Sequence, residues 1–363
     1  MNRPYLETLC KGTLSRLPGK AIFQREPLPV RPAWSRVQGM MLGLAIGDAL
    51  GNTSEAQLPE RRRLRYGEIR DYLPNHHVGG ERRGAPSDDS QMAFWTLEQM
   101  VLDRSYIPEH VARTFATRRI FGIGSAVREF VSEIREGTPW HEAAPESAGN
   151  GALMRIAPIV IPHLVRPSAE LWVDAAVLSL TTHRDPAATA SSLAFVSVLW
   201  QLLGAEAAPS PDWFRAEFLQ ILGELETGQQ YSPRGGWYSG QTGTFSELVT
   251  RRIEDACDRG WSVLDACDAF YSGAYLLETL PCVIYLLMRC AHDPEEAIVR
   301  AVNDTYDNDT VAAIVGAAVG ALHGIDALPR RWRDALTGRT GADDDGRMFE
   351  ILDQAREVFD PGA

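Results

Sequence analysis

The strongest constraint on the fold is a run of glycines spaced four residues apart in an apolar segment. These are Gly39, Gly43, Gly47 and Gly51. The apolar residues from Val37 to Ala45 follow the i, i+3, i+4, i+7 spacing of one buried helical face. Each glycine in a helix interior costs about 1 kcal/mol relative to alanine, so another part of the molecule must approach this face closely. Tight helix packing explains such a face, and crowding by backbone or ligand around Asp48 and Glu55 is compatible with it.

Helical periodicity recurs along the rest of the chain, whereas alternating strand patterns are nearly absent. We therefore predict an all-α fold with one large helical domain and short loops. The stretch from residue 228 to 243, rich in glycine and tyrosine, is the one long loop, and such loops are often functional. The further helices are predicted at residues 91–102, 108–117, 125–136, 169–180, 187–203, 212–225, 245–258, 263–270, 276–290, 293–302, 310–322 and 348–358.

The first 35 residues differ in character from the rest. They contain five prolines and no sustained helical period, so we predict an irregular extension at residues 1–35 and a helical domain at residues 36–363. Residues 1–36 carry a net charge of +5, whereas the remainder carries −17. An acidic body argues against a general affinity for nucleic acid.

The lengths of the apolar runs and the pattern of cysteines indicate in which cellular compartment the protein is expected. The longest apolar run considered, residues 311–322, is shorter than the roughly 18 residues of a membrane span. The first residues lack the apolar segment of a secretory signal, and the five cysteines include no CxxC pair. We therefore expect a cytoplasmic protein with no membrane partner and no thiolate zinc site. Any metal is expected to have oxygen ligands.

The triplet Ser87-Asp88-Asp89 precedes an apolar-periodic run that begins at Met92. A helix cap accounts for it, because a serine and first-turn carboxylates satisfy free amides and oppose the helix dipole. The alternative is a cation site, since two carboxylates and a hydroxyl are oxygen ligands that Mg²⁺ or Mn²⁺ prefers. Taken alone, the triplet favours the cap.

The run Asp307-Asn308-Asp309-Thr310 has the same chemistry at the start of a helix that is too apolar to lie on the surface. No basic residue occurs between residues 301 and 322. A buried turn rich in carboxylates is unfavourable unless a cation offsets its charge. Two such clusters at the starts of buried helices indicate one shared site, with two metals bridged by carboxylates.

Three other features are weaker when taken singly. Glu55 becomes a candidate metal ligand or general base if its helix end faces the metals, although a surface role is the simpler interpretation. The glycine-flanked loop at residues 149–155 could bring backbone amides close to phosphate or ribose, but it is also a common helix-start turn. His183 lies in a turn before another helix, where a single histidine is usually structural or exposed.

Taken together and in this order, these segments resemble the ADP-ribosylglycohydrolase family, which includes dinitrogenase-reductase-activating glycohydrolase and the eukaryotic ADP-ribosylhydrolases. The resemblance spans about residues 36 to 340. Its most specific motifs are the segment from Gly39 to Glu55, Ser87-Asp88-Asp89, Gly149-Asn150-Gly151 with Met154-Arg155, Thr182-His183 with Pro186, Glu278-Thr279-Leu280-Pro281, and Asp307-x-Asp309-Thr310.

The resemblance implies an all-α fold with two Mg²⁺ or Mn²⁺ ions in a central cleft. The implied metal ligands are Ser87, Asp88, Asp89, Asp307, Asp309 and Thr310. The implied catalytic residues are Glu55, Asp88 and Asp309. The segments that would hold the ribose and pyrophosphate contain Gly149, Asn150, Gly151, Arg155 and His183. This chain departs from the family pattern in two places, with Ser87 in place of a threonine and Tyr306 in place of a glycine.

The implied activity is hydrolysis of the N-glycosidic bond between ADP-ribose and a protein side chain. Arginine is the favoured side chain, and O-linked serine is an alternative. A different class of function is a toxin-neutralising binding protein, because some bacterial members of the family are immunity proteins and the basic residues 1–35 could bind an ADP-ribosylating toxin. A disordered terminus is the simpler interpretation of the same segment.

Overall fold

The computed structural model describes residues 2–342 and 344–360, and almost all regular structure within them is helical. The prediction of an all-α fold is confirmed. The α-helices are α1 (Arg3–Leu9), α2 (Trp34–Gly51), α3 (Pro59–Tyr66), α4 (Asp88–Asp103), α5 (Pro108–Thr117), α6 (Ser125–Arg135), α7 (Glu170–Leu180), α8 (Pro186–Gly204), α9 (Pro211–Glu224), α10 (Phe245–Asp258), α11 (Val263–Phe270), α12 (Leu276–Cys290), α13 (Pro294–Asp304), α14 (Asn308–His323), α15 (Arg330–Ala335) and α16 (Arg347–Phe359). The 3₁₀ turns are Gly12–Leu14, Ala21–Gln24, Asn52–Ser54, His76–Val78, Ala157–Leu164 and Ile325–Ala327.

The long loop predicted at residues 228–243 is closed by a minimal hairpin. Its strands are β1 (Gln230–Tyr231) and β2 (Gly243–Thr244), which pair antiparallel. The short helices α1, α3 and α15 were not predicted. Helices α1 and α15 have only seven and six residues, which show little of a 3.6-residue period. Helix α3 buries only Arg62, so it lacks an apolar face to detect.

The glycines of α2 pack against α14, which confirms the tight-packing interpretation. All four face the backbone of α14 or of the residues just beyond its end. A Cβ atom added to Gly47 would lie 2.0 Å from the carbonyl oxygen of Ala312. A Cβ atom added to Gly51 would lie 2.4 Å from the Cα atom of Asp309. The two helices therefore approach at backbone contact distance, and the end of α2 abuts the acidic start of α14.

The prediction of an irregular N-terminal extension is wrong for residues 3–9, which form α1. Leu6 and Leu9 of this helix are fully buried in the same core as the rest of the chain, and α1 packs against α7. Farther along, the indole N–H of Trp172 in α7 donates to the carbonyl oxygen of Arg25 at 2.8 Å. The segment is thus bound to the domain by apolar contacts and by hydrogen bonds from side chains of the domain to its backbone carbonyls.

Of the seven basic side chains in residues 1–36, those of Lys20, Arg25 and Arg36 contact the rest of the domain, and that of Arg3 donates within the segment. The Arg25 guanidinium forms an ion pair with Glu224 at 2.6 Å. The side chains of Lys11, Arg16 and Arg31 are exposed and have no hydrogen bond or ion pair with the part of the chain that the structure describes. The side chains that donate to carbonyl oxygens are Arg3 to Phe23, Lys20 to Glu226, and Arg36 to Leu202, Leu203 and Ala205.

One helix among the described residues, α8, is long and apolar enough by composition to cross a membrane. No unbroken apolar run marks this helix in the sequence, because Thr189, Ser191, Ser192 and Ser197 interrupt it. In the structure 89% of its apolar window is buried inside the protein. It packs against α7, α9 and α14, as a central core helix does.

Candidate active site

The ends of three helices bring the two acidic clusters together. Carboxylate oxygens of Asp48, Asp89 and Asp309, from α2, α4 and α14, lie within 4.8 Å of one another. Carboxylate oxygens of Glu55, Asp307 and Asp309 also lie within 4.8 Å of one another. Asp309 belongs to both groups. The two clusters, separated by more than 200 residues in sequence, therefore form one continuous acidic site.

This site lines a cleft with a volume of about 140 Å³. Neither Ser87 nor Arg155 lines it, although both were candidate site residues. Ser147, Ala274 and the first turn of α6 line it and were not predicted. The candidate site residues that do line the cleft are Glu55, Asp88, Asp89, Gly149, Asn150, Gly151, His183, Asp307, Asp309 and Thr310.

Asp48 holds the start of α4 in place. Its carboxylate accepts hydrogen bonds from the backbone N–H and hydroxyl of Ser87, at 2.8 and 2.7 Å. It also accepts from the backbone N–H and hydroxyl of Ser90, at 3.2 and 2.5 Å, and from Asn52 at 3.0 Å. Ser87 is the N-cap residue of α4, but its side chain makes no capping hydrogen bond. Its hydroxyl donates to Asp48, which leaves the oxygen lone pairs for a cation.

Burial makes the charged forms of these carboxylates unfavourable. Burial, and then repulsion from Asp48, raises the pKa of Asp88 to about 8. Burial and neighbouring carboxylates raise the pKa of Asp89 and of Asp309 well above the usual range. One oxygen of Asp89, Oδ1, is buried without a hydrogen-bond partner among the described residues. A divalent cation would neutralise this charge and satisfy this oxygen, so the donor set fits Mg²⁺ or Mn²⁺.

Glu55 lies at the rim of the cleft, immediately after the 3₁₀ turn that follows α2. Its side chain reaches solvent. Partial burial, and then the charges of Asp307 and Asp48, raise the pKa of Glu55 to about 7. The next residue, Ala56, has a left-handed backbone with φ of 56°, a conformation that tends to occur at functional sites. A carboxyl with a pKa near neutrality can exchange a proton at physiological pH.

The loop at residues 149–155, called the Gly149 loop below, contacts the acidic cluster on one side and His183 on the other. Asn150 donates from Nδ2 to Asp307 Oδ2 at 2.6 Å and to Thr279 Oγ1 at 3.0 Å. A Cβ atom added to Gly151 would lie 2.9 Å from Cε1 of His183. Glycine is therefore required at this position because the imidazole packs directly against the backbone.

Arg155, which was expected to hold substrate, lies behind the cleft and does not line it. Its guanidinium is fully buried, 5.0 Å from the ring centre of Phe115, and donates to the Thr182 hydroxyl. The Thr182 oxygen lies 2.8 Å from Nδ1 of His183. Burial, and then Arg155, lowers the pKa of His183 to about 3, so the imidazole is neutral. Arg155 therefore positions His183 through Thr182.

The sequence analysis did not identify residues 271–275, just before α12, as part of the site. They fix the start of α14. The Ser272 hydroxyl accepts from the N–H of Tyr306 at 3.0 Å, and its carbonyl accepts from the N–H of Asp307 at 2.9 Å. Tyr271 and Ser272 have left-handed backbones, with φ of 75° and 42°. These contacts hold the turn in which Tyr306 replaces the glycine of the family pattern. No sequence signal marks a non-glycine residue for this conformation.

The first turn of α6 was also missed. Gly124, Ser125, Ala126 and Val127 line the cleft. The start of a helix carries partial positive charge and free amides, which suit an anionic group. The only available signal was the predicted helix start near residue 125, and nothing local indicated which surface it would face.

Known proteins resemble this chain over most of its length. An ADP-ribosylarginine hydrolase Tri1 of Pseudomonas putida is 26% identical over 83% of this chain and 74% of its own length. The ADP-ribosyl-(dinitrogen reductase) glycohydrolase of Rhodospirillum rubrum is 26% identical over 83% of this chain and 90% of its own length. A solved structure described as an ADP-ribosylglycohydrolase-related protein complex has the same fold, with a TM-score of 0.61 and 24% identity over 91% of this chain and 99% of its own. The family model for ADP-ribosylglycohydrolase matches residues 30–360, and the chain therefore belongs to the ADP-ribosylglycohydrolase family.

Proposed function

We propose that this protein hydrolyses the N-glycosidic bond between ADP-ribose and an arginine side chain of a modified protein, using two Mg²⁺ or Mn²⁺ ions. The proposal is carried by the convergence of carboxylates from the ends of three helices on one acidic site, most of which lines a cleft. The arginine linkage is supported by two bacterial relatives named ADP-ribosylarginine hydrolase.

The residues that would hold the ions come from the starts of α4 and α14. Asp48 would orient them, because its carboxylate already accepts hydrogen bonds from Ser87 and Ser90. When bound, the ions supply positive charge that polarises a water molecule and the ribose hydroxyls. The proposed ligands are Ser87, Asp88, Asp89, Asp307, Asp309 and Thr310.

The ADP-ribosyl group would lie between the acidic cluster and the Gly149 loop. The loop brings its backbone close to the neutral imidazole of His183, which packs against Gly151. The start of α6 lies on the same cleft and suits the negative charge of the pyrophosphate. These two elements would hold the substrate without adding a full positive charge beside the bond that breaks.

Glu55 would take the proton of the attacking water as that water bonds to the anomeric carbon. The carbon–nitrogen bond breaks, and the guanidine leaves with its electron pair and is then protonated. Glu55 lines the cleft and its side chain reaches solvent, which suits a general base that passes its proton on to water. The neighbouring carboxylates would stabilise the positive charge that develops on the ribose ring in the transition state.

The test is release of ADP-ribose from arginine-modified and serine-modified proteins, with Mg²⁺ or with chelator. We expect release from the arginine substrate, loss of activity in chelator, and a decrease of about 100-fold or more in Asp309→Asn. The matched control is Asp212→Asn, an exposed first-turn aspartate of α9, which should keep wild-type activity. Full activity in chelator would contradict the metal proposal, and release from the serine substrate alone would contradict the arginine linkage.

A second candidate function is neutralisation of an ADP-ribosylating toxin by binding through residues 1–35. It is favoured by the exposed, unpaired side chains of Lys11, Arg16 and Arg31. Deletion of residues 1–35 would expose core residues that pack against α1. Reversing the charges of the three exposed side chains is therefore the sharper test. A triple variant with glutamate at these positions should lose binding to the toxin and keep hydrolase activity. Binding as tight as in the wild type would eliminate this function for the segment.

A further inference from the structure

A second cavity, of about 640 Å³, adjoins the active-site cleft. It lies between the loop at residues 228–243, the start of α3 and the helix α11. We refer to it as the aromatic groove because four aromatic side chains line it. These are Trp237, Trp261, Tyr271 and Tyr306, together with the carboxylates of Asp265 and Asp268.

The aromatic rings of the groove are exposed but held in place. Trp237 is 63% exposed and Tyr271 is 42% exposed. The backbone N–H of Trp237 donates to the carbonyl oxygen of Ala269 at 2.8 Å, and its ring centre lies 5.2 Å from that of Trp261. Rigid exposed aromatic rings lose little entropy on binding and are typical of interaction surfaces.

The same rings already bind a cation of this chain. The guanidinium of Arg259 lies 5.0 Å from the ring centre of Trp237 and 5.7 Å from that of Trp261. The faces of electron-rich rings attract guanidinium and ammonium groups. Because the Trp237 side chain stays largely exposed beside Arg259, the groove has aromatic surface left for further cationic groups.

The carboxylates of the groove also favour a cationic ligand. The carboxylate of Asp268 is exposed and has no hydrogen bond or ion pair with the described residues. Asp265 is exposed as well, although its carboxylate accepts from Ser262 in the capping box of α11. No basic side chain is among the described residues that line the groove. The residues that line the groove are therefore aromatic and acidic, and Arg259 lies against its two tryptophan rings.

The groove and the active-site cleft share a wall. Tyr306 lines the groove and the next residue, Asp307, lines the cleft. Ser272 lines the groove and Ala274 lines the cleft. The carbonyl of Ser272 accepts from the N–H of Asp307 at 2.9 Å, which joins these two segments. A ligand in the groove is thus separated from the acidic site by the backbone of two short segments.

We infer that the aromatic groove binds a positively charged polypeptide segment of the substrate protein, beside the ADP-ribosylated arginine. The inference rests on the proposed function, since it supplies the protein part of the substrate for the same cleft. Lysine or arginine side chains that flank the modified residue would stack on Trp237 and Tyr271 and pair with Asp268. The groove then selects among modified proteins by the charge of the surrounding sequence.

The test compares three substrates: free ADP-ribosyl-arginine, a peptide with ADP-ribosyl-arginine between lysines, and the same peptide with glutamates in place of the lysines. We expect wild-type protein to have a higher kcat/KM for the lysine peptide than for the glutamate peptide. Trp237→Ala and Asp268→Asn should each lower kcat/KM for the lysine peptide by about tenfold. Both variants should hydrolyse free ADP-ribosyl-arginine at the wild-type rate.

Two surface variants serve as controls for exposure and charge. Leu102→Ala removes an exposed apolar side chain about 20 Å from the site, at the other end of α4, and Asp353→Asn removes an exposed carboxylate of α16. Neither should change hydrolysis of any of the three substrates. Thermal unfolding of all four variants establishes that they are folded.

The outcomes separate this inference from the proposed function. If wild-type protein hydrolyses none of the three substrates, the arginine hydrolase proposal is wrong. If it hydrolyses free ADP-ribosyl-arginine but Trp237→Ala and Asp268→Asn leave the lysine peptide unaffected, the groove does not bind substrate. An equal loss on the free and peptide substrates would also overturn the inference, because the groove would then act on the cleft itself.

Discussion

Among single residues, the carboxylates of the cleft have distinct electrostatic surroundings. Asp48 accepts hydrogen bonds from two serines and Asn52, whereas Asp89 keeps a buried oxygen without a partner among the described residues. Asp307 is intermediate, because burial raises its pKa to about 6 while the hydrogen bond from Asn150 opposes the rise. The less satisfied carboxylates are therefore the ones that depend most on a cation.

We predict that the metal-free protein loses stability as the pH rises from about 4 to about 8. The pKa values of Asp307 and Asp88 are about 6 and about 8 in the folded protein, but an unfolded aspartate has a pKa of roughly 3.9. Their stabilising contribution is present below about pH 4 and is lost as the pH rises through these two values. Each 1 kcal/mol lost lowers Tm by about 2–4 °C. Thermal unfolding with and without Mg²⁺ measures this effect, and Mg²⁺ should reduce the decrease.

The variant Asp88→Asn provides the control for this pH dependence. Asparagine has nearly the same shape and does not titrate, so the metal-free variant should have a shallower decrease of Tm between about pH 4 and 8. Mg²⁺ should also stabilise it less than the wild type. Equal pH slopes for the two proteins would show that other groups cause the effect.

At the level of secondary structure, the pair α2 and α14 determines the geometry of the site. Both helices are buried along almost their whole length, and glycines let their backbones meet. Because Asp48 lies on one helix and Asp309 at the start of the other, the separation of the helices sets the separation of the carboxylates. Helix packing and metal geometry therefore depend on the same glycines.

We predict that Gly47→Ala destabilises the protein by about 1–3 kcal/mol or more, because the new methyl group would overlap the carbonyl of Ala312. It should also weaken Mg²⁺ binding, since α2 and α14 must move apart. The control is Gly223→Ala in α9, where an added Cβ atom meets no atom within 4 Å. That change should stabilise the protein by up to about 1 kcal/mol. Denaturant unfolding and Mg²⁺ titration measure both effects, and equal stabilities of the two variants would refute the explanation.

At the scale of the whole molecule, distant segments converge around one cleft. The start of α6, the Gly149 loop and the acidic starts of α4 and α14 surround the proposed ADP-ribose site. The aromatic groove continues from this cleft on the side of α3 and α11. Residues 3–9 lie against α7 and belong to the common core. The basic N-terminal segment is therefore part of the body that presents the cleft, with only some of its charges directed to solvent.

Much of the fold and site could be predicted from the sequence because the relevant signals are local. Helical periodicity is a property of neighbouring residues, and it placed α4 and α14 close to their observed bounds. The spacing of glycines in α2 indicated a close partner without identifying it. The two acidic clusters could be recognised as strings of ligands, and their order along the chain matched the family pattern.

The sequence by itself therefore determined the all-helical class, the glycine-lined helix and the two acidic clusters, since each depends on residues a few positions apart. Only the tertiary structure decided that Asp48 holds Ser87, that Arg155 stands behind His183, and that the aromatic groove adjoins the cleft. These contacts join residues from different helices. Many pairings of helix faces would bury the same apolar residues, so local pattern cannot distinguish among them.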